Sequence, residues 1–110
     1  NNVICSTVGV PKDSLKNGPE FLKKYQERFK TEVQIYSPMA YDAVMIIVEA
    51  MKRANSTKAE DILKELPNTN YEGISGQIAF DSKGDLKNSA ITLNEFKENK
   101  LVTLEVMHMQ

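Results

Sequence analysis

"YSPMAYDAVMIIVEAMKRA", residues 36–54, is the most apolar stretch of the chain and reads as one helix that carries the core. Ser37 followed by Pro38 makes an N-cap and first-turn pair, and the helix is expected to run to about Ala54. On a helical wheel Asp42, Glu49, Lys52 and Arg53 gather on one stripe. Val44, Ile47, Val48 and Met51 cover the opposite side and are the expected buried face. With Ser37 as N-cap, Tyr41 falls at N4 and Tyr36 just before the cap, the spacing of a hydrophobic staple. The N-terminal turn of a helix that follows a strand is also where α/β sheets open their binding crevices. A tyrosine there offers an apolar ring and one hydroxyl. On the residue pattern Tyr41 is a staple or a ligand contact, and both readings stay open. Asp42 is expected to favour the helix dipole or to pair with a lysine; a catalytic use would need a partner that the sequence does not supply.

The flanking segments change period in order. "NNVICSTVGVP", residues 1–11, holds an expected buried strand over Val3 to Val8, stopped by Gly9 and Pro11. It has neither a basic start nor an apolar targeting core, and a chain that opens inside a strand reads as a piece of a longer polypeptide. "KDSLKNGPEFLKKYQERFKTE", residues 12–32, predicts an amphipathic helix with Asn17 or Gly18 as N-cap, Pro19 in its first turn, and Phe21, Leu22, Tyr25 and Phe29 on one stripe. "VQIYS", residues 33–37, reads as a short extended segment. Beyond the central helix, "TKAE" at 57–60 suggests a capping box of Thr57 with Glu60. The helix it opens should bury Ala59, Ile62, Leu63 and Leu66 and stop at Pro67. From Tyr71 the apolar period becomes two, with Ile78 and Phe80 on one face, a turn at "DSKGD", and strands over 90–96 and 101–107 joined by the polar turn "KENK". The expected organisation is a single α/β segment: residues 1–12 a strand and crossing, 13–70 three helices with a short strand, and 71–110 the C-terminal strands.

Composition bounds the function. The 110 residues carry 14 basic and 15 acidic side chains, a net charge of -1, with no long run of either sign. That balance argues against a nucleic-acid or anionic-membrane surface and for a small or neutral partner. The apolar run at 43–48 is far shorter than the roughly 18 residues a membrane span needs. Cys5 is the only cysteine, which excludes an intrachain disulfide and a multi-cysteine zinc site; a buried structural thiol is its plain reading.

Other chemistry is weakly signalled. "FDSKGD", residues 80–85, looks like the start of a calcium loop, but counted from Asp81 the glycine falls at position 4 and Thr92 stands where a glutamate is required. A turn is expected instead, with Asp81 capping amides and Gly84 at positive φ. Gly73 and Gly76 in "EGISGQ" fit no phosphate or dinucleotide loop and are expected to mark a bulge or a close backbone approach. His108 is the only histidine, and no serine sits in a nucleophile elbow, so no catalytic constellation, cofactor or metal site is expected.

From Tyr36 to Val106 the wording resembles type I solute-binding proteins of the branched-chain amino-acid transport class. "SPMAYDAV" opening a long apolar helix carries the resemblance, followed by a short helix ending in Leu-Pro and by "YEGISGQIAFDSKGDLKNSAITLNEFKENKLVTLEV". "VICSTVGVP" is similar to the strand and proline-bearing crossing between the two lobes of such proteins. The resemblance implies a three-layer α/β/α fold. This chain would be the C-terminal segment of a two-lobed periplasmic-binding-protein fold, with an incomplete lobe. It implies a non-enzymatic component of an ABC importer outside the cytoplasmic membrane, periplasmic or lipoprotein-anchored, that traps leucine, isoleucine or valine and docks on a membrane permease. It also implies that Tyr41 lines the ligand cleft. A sensor or receptor domain of the same fold is the nearest alternative, and a cytoplasmic α/β enzyme fragment a remote one. Missing neighbours would leave strand edges and apolar faces bare, so the isolated chain is expected to self-associate.

Overall fold

The computed structural model describes residues 3–109; Asn1, Asn2 and Gln110, which open the expected first segment and close the last, lie outside them. Along the chain come strand β1 (Val3–Val8), a 3-10 turn, helices α1 (Gly18–Phe29), α2 (Ser37–Ala54) and α3 (Ala59–Glu65), a second 3-10 turn at Leu66–Asn68, and strands β2 (Asn70–Glu72), β3 (Gln77–Ala79), β4 (Ala90–Lys97) and β5 (Lys100–His108). The strands form two antiparallel sheets, β1-β4-β5 and the β2-β3 hairpin. The molecule is elongated, 52 × 36 × 20 Å, and its radius of gyration of 16.3 Å exceeds the roughly 13 Å of a compact chain of this size. One body is the three-stranded sheet. The other is α1 to β3, and the chain passes between them near Gly9 and again through residues 81–89. No helix makes more than glancing contact with the three-stranded sheet. The three layers are therefore not completed within this segment, which holds an α/β fold with an incomplete lobe.

The sheet forms because its turns suit its strands. Glu98 and Asn99, both at positive φ, join β4 to β5 in a two-residue turn whose twist matches the hairpin. Between Leu93 and Asn94 the register shifts, so that Asn94 faces Thr103 and Leu104 is left as a bulge. Val3, Ile4 and Val8 are exposed, which corrects the expectation of a buried first strand: β1 pairs along β4, but among the described residues nothing covers its outer face.

The helical body corrects the central helix in the same way. Pro38, Asp42, Ile46 and Ala50 are its buried row, one residue per turn. Val44 is 61% exposed and Ile47 is also open to solvent. The wheel placed Asp42 outside because it is charged; the hairpin satisfies that charge and draws its row inward. α2 starts one residue earlier than expected. Ser37 lies inside the helix, and its hydroxyl accepts the Gln34 N–H at 3.2 Å instead of capping. "VQIYS" is a loop, since no strand is beside it to pair, although Val33 is buried there. The capping box at Thr57 does not form. α3 starts after Lys58, and Ser56 does the work, accepting the Lys58 N–H at 3.1 Å and donating to Asp61 at 2.7 Å. α3 buries no residue fully, and Leu63 points to solvent. Its far end is held by Arg53, which donates to the Glu65 carbonyl at 3.0 Å.

Candidate functional site

Two concave surfaces lie on either side of the start of α2. The first, of about 550 Å³, is walled by α1 and by Tyr41. The stripe read from the sequence makes this wall. Phe21 stacks near Tyr25 at 5.9 Å between centroids, and Tyr25 near Phe29 at 4.8 Å. Tyr41 meets Phe21 edge-on at 5.5 Å and 63°. The expected staple partner, Tyr36, is the residue before the helix and is exposed, so Tyr41 is oriented by α1 and not by Tyr36. With 47% of its surface exposed, the Tyr41 ring faces the cavity. Lys24 and Arg28 stand at the rim. Lys24 is paired with Glu20 at 2.6 Å, and the Arg28 guanidinium lies 5.7 Å from the Phe29 centroid. The pair raises the Lys24 pKa and lowers that of Glu20 through their hydrogen bond and charges. A rim of that kind around aromatic walls suits a small amphipathic solute.

The second cavity, of about 440 Å³, lies between the two bodies. From the sheet it receives Thr7, Thr92, Asn94 and Thr103; from the helical body Ile35, Met39 and Ser75. Its polar row is satisfied internally: Thr92 donates to the Gly9 carbonyl at 2.7 Å, Asn94 donates to Thr7 at 3.1 Å, and Thr103 donates to Asn94 at 3.3 Å. Gly9, at φ +80°, turns the chain out of the sheet at this point, with its N–H on the Ala90 carbonyl at 2.8 Å. The residue pattern alone does not mark this row as part of a cavity. Its signal was present in "ITLNEF", where Thr92 and Asn94 alternate with Ile91 and Leu93.

Asp42 lies between the two cavities, 1% exposed. It pairs with no lysine; its oxygens accept the backbone N–H groups of Ile74 at 2.9 Å and Ser75 at 2.7 Å, together with the Ser75 hydroxyl. Gly73 is the close backbone approach that its position implied: a Cβ there would lie 2.5 Å from an Asp42 oxygen. Asp81 caps its own turn as expected, accepting from Lys83 and Asp85, with Gly84 at φ +89°. Among the described residues, no group of three His, Cys, Asp or Glu comes together as a metal ligand set.

Residues 11–99 match the family described as "Receptor family ligand binding region". The chain belongs to that family. The leucine-, isoleucine-, valine-, threonine- and alanine-binding protein of Pseudomonas aeruginosa is 33% identical over 60 residues, covering 54% of this chain and 16% of that protein. A leucine binding protein from Thermotoga maritima has the same fold with a TM-score of 0.77 and 26% identity, over 96% of this chain and 30% of that one. The branched-chain amino acid transporter substrate binding protein of Streptococcus pneumoniae, solved with isoleucine, follows with a TM-score of 0.78 and 21% identity, over 99% of this chain and 31% of that one. The chain thus spans under a third of the length of these proteins. The resemblance carried by "SPMAYDAV" and by residues 71–106 is confirmed, as is the α/β fold of a segment of a type I periplasmic binding protein. Each of these relatives is named as a binding protein, and the Streptococcus pneumoniae one as the substrate binding protein of a transporter.

Proposed function

We propose that this chain is part of the solute-binding component of an ABC-type amino-acid importer, acting outside the cytoplasmic membrane in the periplasm or, in a Gram-positive bacterium, as an anchored lipoprotein. The observation that carries the reading is the shared fold with a leucine binding protein across 96% of this chain, at 26% identity. The ligand is an aliphatic amino acid such as leucine, isoleucine or valine. Tyr41 supplies part of the cleft wall: its half-exposed ring, fixed by Phe21, packs against the aliphatic side chain. Such a contact contributes about 1–3 kcal/mol, below the roughly 4 kcal/mol of even millimolar binding. The remaining affinity has to come from a facing lobe, and closure of two lobes over the solute is what a membrane permease would recognise.

Thermal shift of the full-length protein with the common amino acids tests this. An aliphatic amino acid is expected to raise the midpoint, and Tyr41→Ala to remove most of the rise. No shift with any amino acid would overturn the ligand class; an undiminished shift in the variant would remove Tyr41 from the wall. A sensor or receptor of the same fold is the second reading, favoured by the family's description as a receptor ligand-binding region. A signalling domain in the same polypeptide would decide for it.

A further inference from the structure

We propose that Asp42 is a positioning residue that sets both cavity walls at once while facing neither. The inference rests on the solute-binding reading and names the residue that shapes its site. A buried carboxylate is costly without partners, and among the described residues no lysine or arginine lies within ion-pair distance of Asp42. Its charge is held by three donors, all from the turn at 73–76. That turn closes on itself through the Gly73 N–H to the Gly76 carbonyl at 2.9 Å, with Gly76 at φ +125°. It is thus a rigid loop pinned at one point, and the pin lies on the second turn of α2. Consecutive residues of the loop then go to different cavities: Ile74 lines the aromatic one beside Tyr41, and Ser75 lines the one facing Thr92 and Asn94. The absence of a side chain at Gly73 is what allows the carboxylate to come close.

Two variants move the loop from opposite sides. Asp42→Asn keeps the shape but turns one acceptor into a donor that must face the Ile74 or the Ser75 N–H. Gly73→Ala keeps the carboxylate and pushes the backbone off it. The test is calorimetric titration of the full-length protein with leucine, at a temperature where every variant is folded, alongside hydrogen exchange of the Ile74 and Ser75 amides. Arg53→Ala, at the far end of α2, is the control. Both loop variants are expected to lose protection at these amides and to weaken leucine binding about tenfold, the size of one lost charge-assisted hydrogen bond, while the control keeps its affinity. Unchanged affinity despite lost protection would make the contact structural only and overturn the inference, as would amides that stay protected in Asp42→Asn. If the parent protein binds no amino acid, the solute-binding reading fails on its own. Positioning is then read from the Tyr41 ring resonances, which shift in both loop variants if Ile74 is displaced and, by staying fixed, reject the inference.

Discussion

The hydroxyl of the buried Thr92 makes its one donation to the carbonyl of Gly9, where the chain leaves the sheet. Thr92→Val keeps the shape and removes the donor, so it is expected to cost about 1 kcal/mol, read as a lower urea midpoint at unchanged slope. Tyr71 gives a second residue-scale test. Burial, then the neighbouring Asp42 charge, pushes its hydroxyl above the ordinary 10.0. Between that value and the raised one the folded chain keeps a proton that the unfolded chain has released. Tyr71 therefore leaves stability unchanged below about pH 10 and lowers it as the pH climbs through that window. Ultraviolet titration, read as the difference from Tyr71→Phe, should find Tyr71 ionising late, and the denaturation midpoint should fall over the same pH range more in the parent than in that variant. At this scale the sequence was legible where the partner is local: Asp81 and Gly84 complete a turn within five residues. Asp42 was not, because its donors lie 32 and 33 residues away and nothing near it announces them.

Elements were legible where local chemistry terminates them and illegible where a neighbour decides. α2 begins within one residue of the expected place and ends at Ala54: Pro38 sits in its first turn as expected, although Ser37 does not cap it, and Asn55 in the left-handed region ends it. The "VQIYS" strand failed because a strand needs a pairing partner and none lies beside it. The termini also differ in strain. α1 ends on Lys30 at φ 56°, its N–H on the Gln26 carbonyl at 2.9 Å, a conformation that costs a non-glycine residue about 1 kcal/mol. Lys30→Gly is expected to stabilise the chain by about 0.5–1 kcal/mol in denaturant melts, part of the gain being offset by the freer unfolded chain. Asn55→Gly, at a residue that tolerates the same region, should gain only a few tenths. Equal gains at the two caps would refute the strain argument.

Across the whole molecule the apolar surface that the sequence assigned to a core is divided between a small core and two bare faces. Leu15, Val33, Ile46, Ala50 and Ile78 are buried, while Val44 and Ile47 stand open on α2, and Ile4, Val8, Val102 and Met107 on the sheet. Among the described residues the sheet also ends in two unpaired edges, since β1 and β5 each pair only with β4. Exposed edges and contiguous apolar faces favour association over a monodisperse state. The isolated 110-residue chain is therefore expected to scatter light as a species heavier than 12.4 kDa at tens of micromolar, its mass rising with concentration. Val8→Lys, which places a charge on the sheet face, and Val44→Glu, which does so on α2, separate the two contributions. If the sheet drives association, Val8→Lys alone lowers the mass; if α2 does, Val44→Glu alone does so. A 12.4 kDa monomer that unfolds in one cooperative transition would mean that these faces are compatible with a stable free chain, and the expectation would be wrong.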